Sequence, residues 1–333
     1  MRDTAAKADF NGSILVAHNT QVLYSGGFGK ANFETGAAAT EKTKYQTGSF
    51  SKWVASVVVL RLVDEGKLSL TAPVSTYLPA YRKDTGGQLT LHVLMSHTSG
   101  LPNEVIAAFK KDPDLHHYEN LSTNDAVARF ASGDLAFPPG TRFEYAHSNW
   151  IVVEAIIEQI TGMTYAQAVD TLFVKPLGLR SSGVMPKDFM TLPNAAQSYS
   201  SILPVPKVVP SARTYPFPAF VGAFGGFYSD TADMAVILHR VYDGNFLSET
   251  SRKKLWTVNV PAENYTYGGR VQSEAGVKPP HMMSWNNNSN GAHKSLAVHV
   301  DDGWDILILN NTTMDQEALN TMGKDILKAI RSD

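Results

Sequence analysis

Apolar and polar positions alternate over short runs at both ends of the chain and follow a helical period through its middle. Residues 13–17 and 21–25 are β-favouring runs, and His18-Asn19-Thr20 between them is a hairpin signal. A second pair lies at 294–300 and 304–309, with Asp301-Asp302-Gly303 as its turn. Leu319, Met322, Ile326 and Ile330 recur at helical spacing and predict a last helix over 315–331. Between these ends, 50–65 is helical with Gly66 as its stop, and 90–96, 123–131, 149–162 and 165–173 also predict helices. Ile151, Ala155, Ile156 and Ile160 share one face of the 149–162 helix, and Gly162 ends it. The Pro-rich stretch 204–218 predicts a long loop, and no internal repeat is present.

Strands at both ends with helices between them predict an α/β (α+β) fold. An antiparallel sheet is flanked by N- and C-terminal helices and interrupted by an inserted helical domain. The expected division is 1–75 and 220–333 for the α/β part and 76–219 for the mainly helical insert.

Composition narrows the classes of function. The chain has 333 residues, 43% hydrophobic and 18% charged, so a large core is available. A formal net charge of −2, without a run of Lys and Arg, excludes a nucleic-acid-binding stripe. There is no cysteine, which removes disulfides, thiolate metal sites and cysteine nucleophiles together. The histidines show no metal-ligand spacing, and Gly26-Gly27-Phe28-Gly29 lacks the helix a phosphate loop needs. Neither a metal nor a cofactor is therefore expected. No apolar stretch is long enough to span a bilayer. Residues 1–7 lack a signal peptide's apolar segment, as they would after signal removal. A periplasmic or secreted location is favoured over a cytoplasmic one. The sequence is silent on oligomeric state.

The first chemical signal is Thr47-Gly48-Ser49-Phe50-Ser51-Lys52. Positions i and i+3 share a helix face, so Lys52 can reach Ser49 if the helix opens there. The hydroxyl would then sit at the positive end of the helix dipole. A serine needs a nearby base to become a nucleophile, and a lysine desolvated against an apolar wall can serve. The same serine also reads as an ordinary N-cap.

The surroundings of this motif resemble the serine β-lactamase and penicillin-binding-protein superfamily, in its class C β-lactamase-like branch. The resemblance runs in order through Leu62–Leu70, Tyr77-Leu78-Pro79, Leu89–Pro102 with its His97-Thr98-Ser99-Gly100 turn, Phe137–Gly140, Phe143-Glu144-Tyr145, Pro176–Leu179 and Gly225–Ser229. It covers nearly the whole chain. It implies an acyl-enzyme at Ser49, with Lys52 and Tyr145 handling protons.

Two positions depart from the family pattern. Where the family's Tyr-x-Asn has its Asn, this chain has His147, either a substrate-binding donor or a satisfied half-buried ring. The third family element, on the strand edging the cleft, falls at Trp285-Asn286-Asn287, with Asn287 in place of the usual Gly. A Trp there is similar to the esterase and acyltransferase relatives. Trp285 also reads as a core aromatic, and Asn286 to Asn290 as a polar loop. The resemblance places the oxyanion hole at the backbone N–H groups of Ser49 and Asn288.

The function so implied is acyl transfer from small ester-like substrates. The alternatives are a D-amino-acid peptidase or β-lactamase-type amidase, and a binding module on a disabled hydrolase fold. Loops around 104–122 and 200–220 are expected to line the cleft.

Overall fold

Strand β1 (Gly12–His18) is buried along almost its whole length, because it lies inside a sheet rather than at its edge. In the computed structural model it pairs antiparallel with β2 (Gln21–Phe28) on one side and with β6 (Trp304–Asn310) on the other. The sheet continues through β5 (His293–Val300) and β4 (Met282–Asn290) to the short β3 (Val271–Ser273), giving the order β2-β1-β6-β5-β4-β3. Every pairing in it is antiparallel. The structure describes residues 10–201, 207–208, 217–274, 276, 278, 280–290 and 292–332. Most of the Pro-rich 204–218 stretch and the first seven residues lie outside them.

Alternation along the strands gives each face of the sheet its own layer. Ile306 and Ile308 of β6, with Leu296 and Val298 of β5, meet helix α6 (Gln316–Ile330), which buries Leu319, Met322 and Ile326. The intervening Leu307, Leu309 and Ala297 belong to the larger core on the other face. That core runs without a break from the sheet into the helices of the chain's middle.

Helix α1 (Phe50–Asp64) lies at its centre. It is buried all round, 50–60 and 62 without exception, as expected of a helix enclosed on every side, and only Ser51, Lys52 and Ser56 among those positions are polar. Short helix α2 (Leu91–Met95) and helix α3 (Ser148–Thr161) pack nearby. Gly162 closes α3 at φ +67, the left-handed turn that favours glycine.

Several elements depart from the expectation. Glu104–Lys111, within the expected cleft loop 104–122, is helical and buries Val105 and Phe109, one turn apart. Helices also cover α5 (Thr231–Tyr242) and Glu249–Trp256. The Asn-rich run 286–290 is strand, not loop, because β5 supplies its ladder: Asn287 faces Leu296 and Asn288 faces Ser295.

Candidate active site

The chain reaches Ser49 through a short three-stranded ribbon in which Tyr45–Gln46 and Gly183–Val184 flank Phe227–Ser229. Thr47 extends this pairing by donating its N–H to Phe227 O at 3.0 Å. Gly48 then takes φ +58, the turn that launches α1. Ser49 is the N-cap residue, yet its side chain makes no capping bond. The N-cap reading therefore does not account for its hydroxyl.

That hydroxyl is the meeting point of the two other groups singled out in the sequence. Lys52 Nζ lies 3.0 Å from Ser49 Oγ, and the Tyr145 hydroxyl donates to the same atom at 3.0 Å. The ammonium nitrogen is 5.0 Å from the centre of the Tyr145 ring. Lys52 is fully buried. Burial lowers its pKa from the ordinary lysine value, partly opposed by Tyr145. The neutral amine a base requires is thus brought closer to physiological pH.

Further residues hold these groups in place, and two of them, Phe224 and Gly268, the sequence reading missed. A single helical turn, α4 (Gly222–Gly225), presents the Phe224 carbonyl, which accepts from Lys52 Nζ at 2.7 Å. Gly268, at φ +71, presses its backbone on α1, where a Cβ would stand 2.5 Å from the Lys52 carbonyl carbon. His97 stacks beneath Tyr145 at 4.2 Å and 22°. It is buried at φ +57, and its Nδ1 accepts from the Ala146 N–H at 3.0 Å. Burial, then the charge of Lys52, keeps its pKa well below the usual histidine value, so it is a neutral platform. The only sequence signal for these contacts was the His97-Thr98-Ser99-Gly100 turn. A backbone carbonyl such as that of Phe224 leaves none.

His147 sits half-buried beside the same crevice, edge-on to Tyr145 at 5.3 Å and to Phe224 at 5.2 Å. Its backbone N–H donates to Asn103 Oδ1 at 2.9 Å, which leaves the Asn103 Nδ2 donor 3.3 Å from His147 Nδ1. That arrangement makes Nδ1 an acceptor and puts the proton of the neutral ring on Nε2.

The third element requires a correction. Trp285 and Asn287 point away from the crevice. The Trp285 ring packs in the α6 layer and its Nε1 donates to Asn320 Oδ1 at 3.3 Å, while Asn287 Nδ2 donates to the same oxygen at 3.1 Å. Strand period explains this, since 283, 285 and 287 share one face. Asn286 is on the α1 side but is buried, bonded to Ser284 Oγ at 2.8 Å and accepting from the Arg270 N–H at 3.1 Å. Asn288 shares that side. It pairs with Ser295, whose hydroxyl donates to Thr47 O at 3.2 Å, so this stretch of β4 runs level with the Ser49 turn.

Among the described residues one group of possible metal ligands is present, His281, Asp301 and Asp302, at the far turn of β5 and β6. It contains none of the residues around Ser49. No helix among the described residues is long and apolar enough to cross a membrane.

Comparison with known proteins bears on what such an arrangement does. Residues 4–305 match the family described as Beta-lactamase. Esterase EstB of Burkholderia gladioli is 33% identical over 184 residues, 51% of this chain and 45% of that protein. A penicillin-binding protein from Bacillus halodurans superposes with a TM-score of 0.84 at 22% identity, over 98% of both chains. EstCE1, described as a hydrolase with promiscuous acyltransferase activity, superposes at 0.77 with 20% identity, over 96% of this chain and 94% of that one. The first curated relatives are matched over 45% and 33% of their own length, so this chain spans less than half of them.

Proposed function

This chain belongs to the Beta-lactamase family, and we propose that it is a serine hydrolase working through an acyl-enzyme at Ser49, with small esters as substrates. One observation carries the proposal: a lysine nitrogen and a phenol from distant segments both lie 3.0 Å from one serine oxygen.

The chemistry follows from proton accounting. Lys52, as the neutral amine, takes the Ser49 proton while the serine oxygen forms its bond to the ester carbonyl carbon. Negative charge develops on the carbonyl oxygen, and the backbone N–H of Ser49 and one from the open edge of β4 are assigned to receive it. Trp285 donates its N–H to Arg270 O, so by the strand's period of two the N–H of Asn288 turns toward β5 and is not that donor. The tetrahedral intermediate collapses as Tyr145 gives its proton to the departing alkoxide. The Lys52 ammonium restores that proton to the phenolate. Water or an alcohol then attacks the acyl-enzyme, and the same groups run in reverse. A transferred acyl group yields an acid in the first case and a new ester in the second.

One substitution supports esters over amides: His147 offers a ring where the family has an amide. One matched relative is an esterase, while the structural neighbours include both a hydrolase with acyltransferase activity and a D-amino acid amidase.

The test is hydrolysis of a p-nitrophenyl ester with a pre-steady-state burst, and intact-mass detection of an acyl group on Ser49. Ser49→Ala should lower the rate on the order of 10³-fold or more. An unchanged rate in that variant rules the mechanism out.

A further inference from the structure

Helix α3 carries a carboxylic acid in the middle of its buried stretch. Glu154 lies among Val152, Val153, Ala155 and Ile156 and is 0% exposed. Burial raises its pKa well above the usual carboxylate range, opposed by the Ala223 N–H and reinforced by Glu158. Any aliphatic side chain would fill this space without the cost of burying a polar group. The acid has one partner that explains it. Its Oε2 accepts from the Ala223 N–H at 2.8 Å.

Ala223 is the second residue of α4, which follows directly on a 3-10 turn at Ala219–Val221; the Ala219 carbonyl takes the Gly222 N–H, and the Ala223 N–H goes to Glu154. In the core it needs an acceptor from outside its own turn. The turn is seated closely: a Cβ on Gly222 would stand 2.5 Å from Tyr165 Cδ1 and 3.3 Å from Glu154 Oε2. One residue beyond Ala223, the Phe224 carbonyl accepts from Lys52 Nζ at 2.7 Å, and the Phe224 ring lies 5.2 Å from His147.

We propose that Glu154 is a positioning residue for the active site: its carboxyl anchors the Ala223 N–H and so fixes the Phe224 carbonyl that aims Lys52 at Ser49. The proposal rests on the reading of Ser49, Lys52 and Tyr145 as the reacting set. Glu154 itself touches no substrate. Its acceptor oxygen matters, and its ionisation does not.

The test compares Glu154→Gln with Glu154→Leu in the full chain. Glutamine keeps an acceptor for the Ala223 N–H, whereas leucine keeps only the volume. Leucine should lower kcat on a p-nitrophenyl ester by tenfold or more while KM stays within about threefold. It should also displace the pH–rate limb that reports Lys52, which faces Tyr145 and, behind it, His97 and His147. Glutamine should keep both within about threefold of the parent. Amide exchange over 222–225 should accelerate in the leucine variant and not in the glutamine variant. A folded leucine variant with parental kcat, pH profile and exchange overturns the proposal. If leucine prevents folding, the glutamine variant decides alone: a folded protein with a tenfold lower kcat overturns it. Ser49→Ala in the same assay separates the two readings, since a parental rate there refutes the acyl-enzyme, while the exchange measurement still reports on the anchor.

Discussion

Replacing Tyr145 by Phe removes one oxygen and leaves the rest of the site in place. The ring still stacks on His97 at 4.2 Å and still lies 5.0 Å from Lys52 Nζ. What disappears is the 3.0 Å bond to Ser49 and the proton for the leaving group. Positioned acid–base groups contribute about 10²–10⁴-fold, or roughly 3–5 kcal/mol of barrier. The loss should depend on the leaving group. A p-nitrophenolate departs without needing a proton, whereas an alkoxide does not, so the Phe variant should lose about 10²-fold on a p-nitrophenyl ester and about 10³–10⁴-fold on the ethyl ester of the same acid. A second signature comes from Lys52. Tyr145 opposes the burial that lowers the lysine pKa. Without the phenol the amine becomes easier to deprotonate, and the rising limb of the residual activity should move to lower pH. The assay is kcat/KM for both esters over a pH series, with melting temperature as the control for folding. An equal loss on both esters, or a variant keeping more than a tenth of the parental rate on the ethyl ester, refutes the assignment of Tyr145 as proton donor.

Three further outcomes follow from the same geometry. Gly268→Ala should lower stability by about 2 kcal/mol or more and depress kcat, since φ +71 and a Cβ 2.5 Å from the Lys52 carbonyl carbon strain the start of α1; thermal melting and ester kinetics read the two effects. Trp285→Phe should lower stability by about 1–3 kcal/mol and leave KM unchanged, because its ring lies in the α6 layer; a changed KM at unchanged melting temperature would return the residue to the cleft. Buried His299 links stability to pH. Burial disfavours its charged form, but the carboxylates of Asp243 and Asp305, 3.3 and 2.8 Å from its two ring nitrogens, outweigh this and raise its pKa to about 9. Because the folded value exceeds the unfolded one of about 6.5, the stabilisation is complete below pH ~6.5 and is lost as pH rises through about 9, on the order of 2–3 kcal/mol. Melting temperature measured from pH 6 to 10 should fall across that window, and His299→Gln should flatten the fall.

How much of this was legible in the sequence depends on whether a feature is local. The strands at 13–17 and 21–25 and the pair near 300 were visible because their turns carry Asn and Asp-Gly signals that constrain the backbone. Ser49 and Lys52 were visible because i and i+3 must share a helix face. Tyr145, 96 residues further on, came only from the resemblance. Trp285 shows the cost of not knowing register. A strand has period two, so a shift of one residue exchanges crevice and core, and the side chains facing the Ser49 side are those of Asn286 and Asn288. The helix at Glu104–Lys111 fell within the expected 104–122 loop although Val105 and Phe109 are one turn apart, because two buried positions over eight residues make too short a period to stand out.

The features that left no trace are the ones that make the crevice work. Burying a lysine costs several kcal/mol unless its N–H groups find acceptors. Here the acceptors come from a serine at the head of the same helix and from a carbonyl 172 residues away. That carbonyl depends on a turn whose own free N–H is taken up by Glu154, an acid set into an apolar helix. An acid amid Val, Ala and Ile was readable as an anomaly, but its partner was not, since any backbone N–H serves equally well. The site therefore draws its order from a chain of paired polar groups running through the core. Each link costs free energy to bury and is stabilising only while the next is present, which is why these residues should show their loss in kcat before they show it in KM.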